Sequence, residues 1–235
     1  MNKTFRFMFS AFAVIFLFGG FAAINTNAQG IPNKILTLME EHRKSMTSLK
    51  ADITMDNYDN VLKDSDQKSG TVKYAAVRKG GKEDVLMRLD WMKPKNEIVS
   101  VIKKTFVIWD VKGGIAYTGT ADSKKLKGEG GGGLVKMLTN SSKEDLKSKF
   151  SVEYLGDERV NNTAVWHLKL TPRTKQDFKF ADIWIDGNGM PIQAMSTALN
   201  NDTQTILLSG LEKNISLTTN EFVLDIPKSV KKQSV

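Results

Sequence analysis

The chain has 235 residues, with 34 Lys plus Arg against 26 Asp plus Glu, two histidines and no cysteine. Without cysteine there is no disulfide framework, no thiol nucleophile and no zinc–thiolate site, so the fold rests on packing alone. The net charge of +8 is scattered singly or in short runs such as Lys124-Lys125 and Lys231-Lys232; it reads as a solvated surface and favours lipid headgroups or cell-wall polymers over nucleic acid as neighbours.

Lys3 and Arg6 precede the apolar run from Phe7 through Phe21, and a polar stretch follows that ends Thr26-Asn27-Ala28. This is the layout of a secretory signal peptide, cut near Ala28, so the mature protein is expected to begin at Gln29. The apolar run is about fifteen residues, short of the roughly twenty that a spanning helix needs. A lipid anchor would need a cysteine at the cut. The expected organisation is therefore a signal peptide over residues 1–28 and one exported, soluble domain over 29–235. Loss of Lys3 and Arg6 takes Lys plus Arg from 34 to 32 against 26 acids, leaving about +6.

Ile31, Ile35, Leu38, Met39, Met46 and Leu49 recur at helical spacing, with Pro32 in a first turn that tolerates it, so an amphipathic helix is expected over Ile31–Leu49. The period then changes to two. Ala51, Ile53 and Met55 alternate with polar neighbours, as do Val72, Tyr74 and Ala76, then Val85, Met87, Leu89 and Trp91, between turn signals at Ser69-Gly70 and Gly80-Gly81. Strands are expected next at Glu97–Ile102, Thr105–Val111 and Ile115–Thr118, joined by turns at Lys103-Lys104 and Lys112-Gly113-Gly114. Between Asp122 and Lys149 the pattern lapses into a Lys- and Gly-rich loop and two short helices, around Leu134–Leu138 and Lys143–Lys149. Strands resume at Phe150–Leu155, Ala164–Leu170 and Phe178–Ile185, and Asp186-Gly187-Asn188-Gly189 is a hairpin turn into Ile192–Leu199. Asp202–Ser209, Lys213–Leu217 and Glu221–Asp225 complete the set.

The sequence therefore predicts an α+β fold: a highly curved antiparallel sheet of about 11–12 strands, an open or incomplete β-barrel, with an N-terminal helix and inserted short helices. A sheet of that many twisted strands curls, and helices over its concave side would form a lid on an apolar cavity.

Catalytic chemistry finds little to work with. His42 stands beside Arg43 on the polar helix face and His167 alternates with Trp166 in a strand; neither has a second histidine at ligand spacing. Asp64-Ser65-Asp66 opens like a calcium loop, but Lys68 takes the next ligand position and no glutamate closes it, so a surface turn is expected. Gly128–Gly133 lacks a following Gly-Lys-Ser/Thr, and Glu129 would repel phosphate; the stretch reads as a hinge for the helix after it. No Gly-x-Ser-x-Gly elbow occurs. No catalytic residue, metal site or cofactor is assigned.

The residues that remain are apolar, aromatic and one arginine. Val72, Tyr74, Ala76 and Arg78 share a strand face, so Arg78 ends an apolar row where a guanidinium can bond the carbonyls of a guest. Leu89, Trp91, Trp109 and Tyr117 are expected to line the same concavity. Leu134, Met137 and Leu138 are the lid candidates.

Several segments together resemble a known family: the helix ending Leu49-Lys50-Ala51-Asp52-Ile53, Gly70-Thr71-Val72 through Val77-Arg78-Lys79, and Met87-Arg88-Leu89-Asp90-Trp91-Met92-Lys93-Pro94. Val107-Ile108-Trp109-Asp110, Trp166 through Pro172, Asp186 through Pro191 and Phe222 through Pro227 continue it. In order and spacing these resemble the periplasmic outer-membrane lipoprotein carriers, the LolA-like proteins. The resemblance implies an open barrel with a helical lid whose interior holds acyl chains of a lipoprotein or related lipid. It also implies handover from an inner-membrane ATP-driven release complex to an outer-membrane receptor, by a non-enzymatic periplasmic monomer that binds no nucleic acid. The family's arginine at the end of the second strand corresponds to Arg78, with Arg88 the alternative because Lys79-Gly80-Gly81 replaces the expected proline. A regulatory lipid-sensing domain on the same scaffold is the other reading; an envelope-lipid enzyme is disfavoured.

Overall fold

The computed structural model describes residues 30–79, 82–120, 126 and 141–235, without the side chains of Arg78, Lys79, Lys82 and Glu83. Helix α1 spans Gly30–Ser45 and helix α2 Lys143–Lys149. Twelve strands follow in chain order: β1 (Ser48–Asp59), β2 (Asp64–Lys79), β3 (Lys82–Lys93), β4 (Glu97–Ile102), β5 (Thr105–Asp110), β6 (Ile115–Thr120), β7 (Phe150–Val160), β8 (Thr163–Pro172), β9 (Phe178–Asp186), β10 (Pro191–Ala198), β11 (Thr203–Lys213) and β12 (Lys231–Ser234). All twelve lie in one sheet of order β12-β6-β5-β4-β3-β2-β1-β11-β10-β9-β8-β7. Its pairs are antiparallel except β12 on β6. The sheet does not close: β12 and β7 are its two edges. Among the described residues no helix is long and apolar enough to cross a membrane.

Alternation sets the two faces. Ile53, Val72, Leu89, Val99, Ile183 and Ile206 lie on the concave side in a single core, and α1 adds Ile35, Leu36 and Met39 to it. Helix α1 stops at Ser45, earlier than its apolar spacing suggested: Leu49 already pairs with Tyr74 and Lys213 as part of β1. The β9–β10 turn fits against the helix because Gly189 has φ +81° and a Cβ there would come within 2.4 Å of the Leu38 carbonyl oxygen, a place that only glycine fills without strain.

Four expected local features differ. Strand β2 runs unbroken from Asp64 through Gly70, so neither Asp64–Asp66 nor Ser69-Gly70 is a turn; the pairing to Asn57–Asp59 and a bulge at Ser69/Gly70 absorb the polar residues. The strands expected at Lys213–Leu217 and Glu221–Asp225 are absent, apart from Lys213 at the end of β11. In their place a strap crosses the convex face. Its 3-10 turn at Thr219–Phe222 carries a capping box between Thr218 and Glu221, and Phe222 is fully buried against Ala75 and Leu86. Ser48 Oγ donates to the Ile215 carbonyl at 2.6 Å and Ser100 Oγ to the Phe222 carbonyl at 2.5 Å, stapling the strap across β1 to β4.

Candidate functional site

The site begins as the polar rim of an apolar trough. One inward-facing step beyond Met55, Ile206 and Ala194 stand Asn57, Gln204 and Ser196, on β1, β11 and β10. Around them a cleft of about 470 Å³ opens between the β1–β2 and β10–β11 turns, lined also by Tyr58, Leu62, Asp66 and Ala198. Gln204 Nε2 donates to Asn57 Oδ1 at 2.9 Å across the cleft floor. The cleft's carboxylates shape its turns: Asp59 Oδ1 accepts the amides of Val61 and Leu62, and Asp202 Oδ1 accepts that of Asn60. This is a mouth.

Below the mouth the interior is closely packed. Val72, Tyr74, Leu89 and Trp91 are each at most 2% exposed, so a guest would have to displace side chains or a helix. Helix α1 lies in the concavity, joined there by Leu146 of α2, and one carboxylate fastens it. Glu40 receives Arg43 Nη2 at 3.0 Å and Nε at 3.1 Å, pairs with Lys44 at 3.3 Å, and accepts the backbone N–H of Lys143 at 3.2 Å. Lys143 Nζ in turn donates to Thr37 Oγ1 at 2.7 Å. The Arg43 guanidinium, chiefly, holds the Glu40 carboxyl down at about 2, against the upward pull of burial.

No protein-family model and no curated protein matches the sequence. Among solved structures, the chain superposes on an uncharacterized conserved protein from Thermus thermophilus with a TM-score of 0.54, at 12% identity, covering 86% of this chain and 98% of that one. It superposes on MucB with a TM-score of 0.51, at 12% identity, covering 83% of this chain and 62% of MucB. A putative outer membrane lipoprotein-sorting protein domain from Vibrio parahaemolyticus matches at 14% identity over 83% of this chain and 97% of that one, with a TM-score of 0.42. The chain shares its fold with the Thermus protein and MucB. The curved, unclosed sheet with helices that the sequence implied is the arrangement present.

Within this frame the expected site residues separate. Val72, Tyr74, Leu89 and Trp91 come together on the concave face, and Tyr117 packs against the same core from β6, three strands away from β3. Trp109 does not join them. It pairs with Ile98 and Ala116 and alternates with Phe106 and Ile108, which face the core, so it lies on the convex side. Arg88 is likewise convex: it pairs with Asp90 at 2.9 Å and its Nη1 donates to the Glu221 carbonyl at 3.0 Å, which makes it a clamp on the strap. The backbone of Arg78 ends β2 opposite Glu83. Leu134, Met137 and Leu138 lie outside the described residues.

Neither histidine is simply solvated. His42 is half-buried against the β9–β10 turn, and burial pushes its pKa below its ordinary 6.5. His167 sits on the convex face with Nδ1 2.7 Å from Glu158 and Nε2 3.0 Å from Asp182, stacked on Trp184 at 4.4 Å. Trp184 Nε1 donates to Glu158 at 2.7 Å, and with His167 it lowers the Glu158 pKa. The cluster ties the edge strand β7 to β8 and β9. Sequence spacing gave no sign of it, because its members are 9 to 26 residues apart. Among the described residues no group of three or more His, Asp or Glu is placed to hold a metal.

Proposed function

We propose that this protein is an exported, non-enzymatic carrier that holds the acyl chains of a lipoprotein or related lipid inside its curled sheet and moves them between two membranes. The observation that carries the reading is the trough itself: a largely apolar face across the unclosed sheet, with polar residues gathered at the mouth and Glu97 beside Trp91, and a helix fastened into it. Burying acyl chains contributes about 0.8 kcal/mol per methylene, so complete enclosure of several chains would exceed the roughly 20 kcal/mol ceiling of non-covalent binding. A filled, openable interior suits a shuttle better than a tight store. The lipid takes the place of side chains and helix, and the cost of that displacement keeps affinity low enough for release without nucleotide.

In this reading residues 1–28 are removed near Ala28 and residues 29–235 act as one monomeric domain in the periplasm. Arg78, at the end of β2, and the lid residues Leu134, Met137 and Leu138 tune release. Cargo arrives from an ATP-driven complex in the inner membrane and leaves to an outer-membrane receptor. The test is binding of an environment-sensitive acyl probe, N-phenyl-1-naphthylamine, to the purified protein. Saturable fluorescence enhancement that palmitate esters reverse is the expected result. Absence of enhancement overturns the proposal.

The superposition on MucB favours a second reading, a regulatory domain that binds the periplasmic part of another protein. MucB itself has been solved in complex with MucA(peri). Transfer of bound lipid from donor to acceptor vesicles separates the two readings: a carrier accelerates it, and a sensor binds lipid without passing it on.

A further inference from the structure

Trp91 holds a polar group that the fold leaves unused. Its side chain is 2% exposed on the concave face, and its indole Nε1–H has no acceptor and no contact with water. A buried donor without a partner costs about 1–3 kcal/mol, and its two cross-strand neighbours do not relieve it. Gly70 on β2 has no side chain to offer, and the carboxylate of Glu97 on β4, whose Oε1 is buried as well, makes no bond to the indole. The glycine is fixed by the fold, because a Cβ at position 70 would come within 2.1 Å of the Asp90 carbonyl oxygen. The position on the sheet gives the donor its meaning. Gly70, beside Trp91, is four residues along β2 from Asp66 at the mouth, about 13 Å of strand. Beyond it Leu89 and Met87 continue the apolar row into the core.

We propose that the Trp91 N–H is the anchoring donor for the ester or amide carbonyl at the head of a bound acyl chain, with the head toward the mouth and the tail lying along Leu89 and Met87. This rests on the carrier reading and adds to it a selectivity: the interior prefers chains that carry an acyl carbonyl over plain hydrocarbon of the same length. Trp109 supplies an internal contrast, since its Nε1 also lacks an acceptor but lies on the convex face.

The test is displacement of N-phenyl-1-naphthylamine by methyl palmitate and by heptadecane, using the full mature chain and its Trp91→Phe and Trp109→Phe variants. One hydrogen bond of ordinary net worth predicts a preference for the ester of about threefold to tenfold. Trp91→Phe removes that preference, so that methyl palmitate and heptadecane displace the probe alike whatever the smaller ring does to both, and Trp109→Phe keeps it. A preference that survives Trp91→Phe, or none in the unmodified protein, overturns the inference while leaving the carrier reading intact. Displacement by neither ligand defeats both. Should Trp91→Phe fail to fold, the indole resonances of the ¹⁵N-labelled unmodified protein decide: one of the four must shift with methyl palmitate and not with heptadecane.

Discussion

Glu40 in α1 accepts the backbone N–H of Lys143, the first residue of α2, at 3.2 Å across 103 residues of sequence. The same carboxylate is gripped by Arg43 and Lys44 of its own helix. This carboxylate, with the Lys143 Nζ–Thr37 Oγ1 bond beside it, therefore holds the helix in the trough to the helix that leads into edge strand β7. Any opening of the interior that moves one helix from the other has to break this contact.

Glu40→Ala is expected to cost about 2–3 kcal/mol, because it leaves Arg43 and the Lys143 amide without their partner. Acid should reproduce part of the loss. A carboxyl held at about 2 rather than near 4.5 contributes stability that is fully present above pH 4.5 and fades as the pH falls toward 2. Urea titrations at pH 6 and pH 3 should show the unmodified protein losing more stability between the two than Glu40→Ala does. Parallel losses would place the acid sensitivity elsewhere.

At the other side of α1, Gly189→Ala meets two obstacles at once, a φ of +81° and a Cβ position 2.4 Å from the Leu38 carbonyl oxygen. The backbone has to shift, and a loss of at least about 2 kcal/mol is expected. Gly187→Ala, two residues earlier in the same turn, meets no atom within 4 Å and should change stability by less than about 0.5 kcal/mol. Thermal unfolding of the pair measures the helix–turn contact against its own control.

His42 gives the same helix a second acid response. Burial leads in lowering its pKa, Lys213 adds to this, and Asp186 and the backbone at Asn188 oppose it. The folded state thus takes up a proton less readily than the unfolded chain, so stability is lost as pH falls below about 6.5. In His42→Gln the decline between pH 6.5 and 5 should flatten. An unchanged slope there would mean that the ring titrates freely in the folded protein.

Period-two alternation exposed the strands, because most inward side chains are apolar and each turn carries Gly, Asn or Lys. It failed where both faces of a strand are covered. Phe106 and Ile108 face the core while Val107 and Trp109 face outward, and a run apolar on both sides has no readable phase, so Trp109 was expected in the concavity. The strap escaped for a related reason: Leu217 and Phe222 carry strand-like residues but bury them against the convex side through a capped 3-10 turn. The partners of Glu40 and His167 come from distant segments, and no local pattern encodes them. The trough residues on β2 and β3 were legible because one period carries through Val72, Tyr74, Leu89 and Trp91.

Phe222→Ala separates the outer face from the inner one. Removing a fully buried phenyl from the pocket of Ala75 and Leu86 should cost about 3–5 kcal/mol in urea unfolding. The trough lies on the opposite side of the sheet, so affinity for N-phenyl-1-naphthylamine at temperatures where the variant is folded should not change. A binding defect would show that the strap and the interior are coupled.

Leu89→Ala acts on the inner face, and there stability and binding should move in opposite directions. Leu89 has no exposed surface in the packed trough, so truncating it leaves a void and costs about 2–5 kcal/mol. A void lined by apolar side chains stays dry and takes up apolar ligands. If the interior is the acyl site, part of the displacement a guest would otherwise require has already been made, and probe affinity rises even as the protein becomes easier to unfold. Urea titration and probe titration on the same preparation read both signs. Lower stability with unchanged or weaker probe binding would mean that ligands enter elsewhere, and the trough would then be an ordinary core.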